Sequence, residues 1–166
     1  MSARLDTLAQ DWIRWLNNTI ADPALPLYAR RSPNDAGNED DSHAAVHIHL
    51  MQAQPNKLVM AGVICIDLDC DDEAENILAS EVFYQQIRQL GSAGPFLCFV
   101  AHGESRVSFH WCEDGSAGRD GQSENLTMQP LRTSFDRNNV EQQVVVMRVL
   151  MNGITANIAK ANRATI

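Results

Sequence analysis

HAAVHIHLMQAQPNKLVMAGVICIDL, residues 43–68, decides the fold class. Its first half, 43–53, alternates: Val46, Ile48 and Leu50 point one way, and His43, Ala45, His47 and His49 the other. That period of two predicts a half-buried strand. Its second half, 57–68, is apolar on both faces through Ile66, as expected of a strand that is central or covered on both sides. Gln54, Pro55 and Asn56 make a turn between them, so the two segments should pair as antiparallel neighbours.

Toward the C-terminus, the acids around 67–73 lead into a helix expected over 72–90, with Ile77, Leu78, Val82, Ile87 and Leu90 on one stripe. Acids at its start suit the helix dipole, and Gly91 suits its C-terminal cap. Residues 95–102 and 105–112 predict a second hairpin across Gly103 and Glu104. In it Val107, Phe109 and Trp111 face inward, and Ser108, His110 and Cys112 outward. The segment 113–125 is almost devoid of apolar residues and reads as a mobile loop. A modest strand follows over 126–136, with Pro130 placing it at an edge or bulge. After a turn at 136–139, the valine-rich 140–151 predicts a strand, and the tail 152–166 a loose arm or short helix with little to bury.

Toward the N-terminus, Leu5, Leu8, Trp12, Trp15, Leu16 and Ile20 recur at helical spacing, so 2–20 predicts an amphipathic helix ended by Asp22 and Pro23. Residues 25–31 form a short extended piece that Pro26 confines to an edge, and 32–42 a mobile loop. The order implies a single α+β domain over 1–166, a mostly antiparallel sheet with two helices packed on one face and β-hairpins in the C-terminal half. Helices do not alternate with strands and no glycine-rich phosphate loop is present, which excludes a Rossmann-like reading.

The 166 residues are 45% hydrophobic and 20% charged, ordinary values for a globular chain. Thirteen Lys and Arg against twenty-one Asp and Glu give a net charge of −8. Such a chain repels a phosphate backbone unless its basic residues cluster, so no nucleic-acid partner is expected. No apolar run approaches the ~20 residues of a bilayer span and no secretion signal is evident. The expectation is a cytoplasmic protein without a membrane partner. Cys65, Cys98 and Cys112 lie in strand-like segments and should be buried, reduced thiols. The carboxylates beside Cys70 would raise its thiol pKa, against a reactive thiolate. No CxxC pair occurs.

The best metal candidates are His47 and His49, two imidazoles on one strand face, with His43, His102 or His110 as further donors. The bland alternative is a polar strand face that happens to hold histidines. Asp67, Asp69, Asp71 and Asp72 could hold Mg²⁺, but read more simply as a solvated helix start. Ser105 lies outside any Gly-x-Ser-x-Gly elbow. No catalytic residue and no cofactor is assigned.

A late strand apolar on both faces has to be central or covered by another subunit. Trp12 and Trp15, three apart on the first helix, serve either as core residues or as a stripe offered to a partner. Self-association is therefore expected, with Trp12, Trp15, Arg30, Arg31 and Arg148 as contact residues.

The layout resembles the tail terminator or tail-completion family of bacteriophages. The likeness rests on the first helix at Leu5–Ile20, the edge piece Leu25–Arg31 and the hairpin Val46–Leu50 with Leu58–Leu68. It continues in the helix Glu73–Leu90 and in the late hairpins Phe96–Trp111 and Val140–Met151. It is a likeness of element order, size and acidity, without a diagnostic motif. The resemblance implies a non-enzymatic homohexameric ring that closes the tail tube and meets the head connector, in the host cell and then in the virion. The loops 32–42 and 113–125 would make axial or partner contacts. The His47 and His49 pair is not explained by it. The alternatives are a small acidic binding or immunity-type module and a metal-dependent enzyme using the His47 and His49 face.

Overall fold

The computed structural model describes residues 3–20, 24–32, 45–53, 56–66, 81–91, 95–114, 126–130 and 134–163. In chain order the elements are α1 (Ala3–Thr19), β1 (Leu27–Arg31), β2 (Ala45–Ala53), β3 (Asn56–Cys65), α2 (Glu81–Leu90), β4 (Phe96–His102), β5 (Arg106–Asp114), β6 (Leu126–Pro130), β7 (Phe135–Asp136) and α3 (Val140–Arg163). The fold is α+β. Its sheet runs β1-β2-β3-β4-β5-β6, with the short β7 also on β5. Every pairing is antiparallel except β3 with β4. That parallel step is made by the connection that carries α2.

The opening hairpin forms as its pattern predicts, with Ala53 opposite Asn56 and Ala45 opposite Cys65. The register slips where Leu50 pairs with Met60 and Met51 with Leu58, which leaves Val59 as an extra, bulged residue. The second hairpin pairs Phe96 with Cys112 and His102 with Arg106. β1 and β6 are the edges, where Pro26 and Pro130 place them. Gly103, at φ 64°, makes the β4–β5 turn, and Gly91, at φ 135°, follows α2 as its cap residue.

Both faces of the sheet are covered. On one, α1 contributes Leu5, Trp12 and Leu16, joined by Ile20 just past its end, and α3 contributes Val146, Leu150 and Ile154; they pack on Ile48, Leu50, Ile64, Phe99 and Phe109. On the other, Ile87 and Leu90 of α2 pack on Ala61, Val63, Cys98, Val100 and Cys112. The two helices read from the sequence thus lie on opposite faces, and the companion of α1 is a third helix. Crossing from β3 to β4 over one face puts α2 there, while α1 and α3, from the two ends of the chain, share the other.

That third helix corrects two expectations. Residues 140–151 are helical, and the tail 152–163 continues the same helix. Val146, Leu150, Ile154 and Ala161 are buried, a spacing of four, four and seven that is helical and spans both segments. Asn139 caps the start: its Oδ1 accepts from the backbone N–H of Glu141 at 3.1 Å and of Gln142 at 3.3 Å. Packing on the sheet overrides the β preference of the valines. A third point follows, because Val140–Asn162 is long and apolar enough to cross a membrane by length and composition. The expectation that no segment approaches a span is therefore revised, although the inner side of this helix belongs to the core.

Candidate functional site

The outward side of α3 is the most distinctive surface. Val140, Val144, Val145 and Met147 are 76%, 48%, 40% and 41% exposed. Val140, Val144 and Met147 follow at steps of four and three, a spacing that the half-buried Met151 extends by four, so they form one stripe along the helix. Arg148 stands exposed beside it, and among the described residues it makes no ion pair. An apolar stripe in water with a cation at its margin is the pattern of a protein-contact surface. This is the segment expected to be either central or covered by another subunit. The expectation of a strand was wrong and the excess of apolar residues is real.

The other expected contact residues fall elsewhere. Trp12 is fully buried, so it is a core residue and offers nothing to a partner. Its indole N–H donates to the Gly103 carbonyl at 2.8 Å. Trp15 is half-buried and meets Trp12 edge-on, with centroids 5.6 Å apart. The Arg137 guanidinium stacks over the Trp12 ring at 3.9 Å. Arg137 also donates from Nε to the Glu104 carbonyl at 2.7 Å and from Nη2 to the Asp11 carboxylate. Nothing in its local sequence announces this role, because its partners come from α1 and from the β4–β5 turn. Arg31 forms a half-exposed ion pair with Asp6 at 3.0 Å, of the kind that contributes little to stability. Arg30 lies opposite His49 in the β1–β2 register, and its Nε is buried with no hydrogen-bond partner among the described residues.

His47 and His49 share a sheet face as their spacing predicts, but that face is not open to water. Both are buried, and α2 brings Gln86 to 3.1 Å from His49 Nε2. The His49 pKa is lowered from 6.5 to about 4. Burial is the main cause, and the Arg30 and His47 charges add to it against the raising effect of the Gln86 bond. Among the described residues no group of three His, Cys, Asp or Glu side chains is arranged to hold a metal ion. His43 and the Asp67–Asp72 run, like Cys70, lie outside the described residues.

By alternation with Cys98 and Val100, His102 belongs to the same α2 side, as does His110 by alternation with Cys112. His110 Nε2 lies 2.9 Å from the Ser108 hydroxyl, a contact the sequence reading did not single out. Cys65, Cys98 and Cys112 are buried and, among the described residues, form no disulfide. Burial and a hydrogen bond with Cys112 push the Cys98 thiol well above its ordinary pKa. The Cys98 thiol is therefore a protonated core group. Ser105 accepts the Arg137 backbone N–H through its carbonyl at 2.8 Å. Of the loops expected at 32–42 and 113–125, Ser32 is buried with its backbone N–H donating to the His47 carbonyl at 2.8 Å, and Glu113 and Asp114 belong to β5; the rest of both loops, with the contacts expected of them, lies outside the described residues.

Compared with known proteins, the chain matches no family model, no curated protein and no solved structure.

Proposed function

We propose that this protein is a non-enzymatic assembly component that associates with further copies of itself through the outward face of α3. The observation that carries the reading is the stripe Val140, Val144 and Met147, left in water by a helix whose opposite side is fully engaged with the sheet. Exposing this much apolar side chain in one place is unfavourable for a free monomer, and pairing two stripes removes it from water. The tail-terminator ring is the setting proposed for this association, on the strength of the likeness in size, acidity and element order through the Phe96–Trp111 hairpin; the hairpin expected at Val140–Met151 is a helix and lends it no support.

The test is the solution mass by light scattering over a range of concentration and salt, for the natural chain and for Val144→Lys with Met147→Lys. The natural chain should be oligomeric, with a hexamer favouring the ring. The double variant should be a folded monomer, because both side chains point away from the core. A natural chain that stays monomeric at every concentration would remove the support for self-association and favour the acidic binding-module reading.

A further inference from the structure

We propose that the cleft beside α1 binds a small organic anion, a carboxylate or phosphomonoester carried on an apolar body. The cleft has a volume of about 750 Å³, within the ~300–1,000 Å³ typical of small-molecule sites. It lies between α1, the end of β3, the β4–β5 turn and the residues that lead into α3.

Three arginines line it, Arg4, Arg14 and Arg137, against two acids, Asp11 and Glu104. In a chain of net charge −8, this concentration of guanidinium groups is a local reversal of sign. Arg4 and Arg14 stand on the side of α1 that also presents Thr7 and Asp11 to the cleft, at steps of three, four and three. Both are exposed. Among the described residues neither makes an ion pair or hydrogen bond, so their forks are available to a ligand.

Arg137 supplies the fixed part of the site. It is only 7% exposed, and it is held by Trp12, the Glu104 carbonyl and the Asp11 carboxylate. Those bonds use Nε and Nη2, and Nη1 has two further N–H donors. A guanidinium already immobilised by stacking loses little freedom when it binds an anion. The N-terminus of α3, capped by Asn139, begins two residues beyond Asn138 at the cleft lip and adds the positive end of a 24-residue helix. Leu8 and Ile66 give the cleft an apolar lining. A planar or tetrahedral anionic head suits the arginine forks, and an apolar body suits Leu8 and Ile66.

Isothermal titration calorimetry on the full chain with phenyl phosphate, benzoate, inorganic phosphate and benzylamine tests this. At least one aromatic anion should bind saturably and more weakly as salt rises, and the tighter of the two identifies the preferred head. Inorganic phosphate should bind more weakly than phenyl phosphate, and benzylamine not at all. Arg4→Gln with Arg14→Gln should weaken binding about tenfold or more without shifting the thermal midpoint, since both side chains are exposed. Arg137→Lys keeps the charge but loses the fork, and should weaken binding as well. If Arg137→Lys fails to fold, the Arg4 and Arg14 pair still decides. The proposal is overturned if neither aromatic anion binds, if benzylamine binds equally well, or if the double variant binds as tightly as the natural chain.

Discussion

At the scale of single residues, the buried His49 couples the fold to pH. In the unfolded chain its imidazole takes up a proton near pH 6.5, whereas in the folded protein it does so only near 4. As pH falls from 6.5 toward 4 the unfolded state binds the proton first, so stability conferred by this site is complete above about 6.5 and is lost on acidification. The full difference corresponds to about 3 kcal/mol. Urea denaturation at a series of pH values should show that acid limb in the natural chain, and His49→Gln should flatten it by about that amount. An identical pH profile for the two would refute the assignment. The alternation of 43–53 suffices to put His47 and His49 on one face, but cannot tell whether water or a helix covers it. Polar side chains under a helix look, in sequence, like polar side chains in solvent. Trp12 is readable as a core residue from its place in the α1 stripe. Arg137 is not, because a lone arginine in a turn carries no period and meets Asp11 across 126 residues of chain.

At the scale of elements, the hairpins and α1 follow from period and turn chemistry alone, and α3 does not. Val144, Val145, Val146 and Val149 give its first half a β composition, and Asn152, Gly153 and Asn157 make its second half look polar. Dividing the segment near 151 hides a single helical period. The residue that explains the discrepancy is Asn157, 1% exposed. Its Oδ1 accepts from the Leu97 N–H at 2.9 Å, and its Nδ2 donates to the Val59 carbonyl at 2.9 Å and the Leu97 carbonyl at 3.0 Å. β3 and β4 are paired only from Gly62 with Phe99 to Cys65 with His102, so ahead of that stretch the two strands leave backbone groups that a side chain has to satisfy. The polar residue that disguises the helix is thus what lets it dock on a splayed pair of strands. Gly153 allows the same approach, because a Cβ there would lie 2.3 Å from Leu97 Cδ2. Asn157→Leu should therefore destabilise the protein by about 3 kcal/mol or more, since it orphans three buried backbone groups. Equilibrium unfolding in urea measures this, and a loss below about 1 kcal/mol would mean that Asn157 is not what satisfies them.

At the scale of the whole molecule, the sheet is closed off by helices on both faces and left with short, proline-marked edges. Growth of an assembly by adding strands is then less natural than contact through a helix surface. α3 has the two surfaces this requires. Val146, Leu150 and Ile154 belong to the monomer core, and Val140, Val144 and Met147 project outward. The arrangement makes a thermodynamic prediction separate from any measurement of mass. If the outer stripe is buried only between copies, association stabilises the native chain by mass action, and the unfolding midpoint has to rise with protein concentration. Val144→Lys with Met147→Lys should remove that dependence and leave the dilute-limit stability within about 0.5 kcal/mol of the natural chain, as surface substitutions usually do. Leu150→Ala should do the opposite, lowering stability by about 2–5 kcal/mol at every concentration, because it opens a cavity under the helix. Thermal unfolding of the three chains across a wide concentration range separates the two sides of α3. A midpoint independent of concentration in the natural chain would place the apolar stripe outside any self-interface.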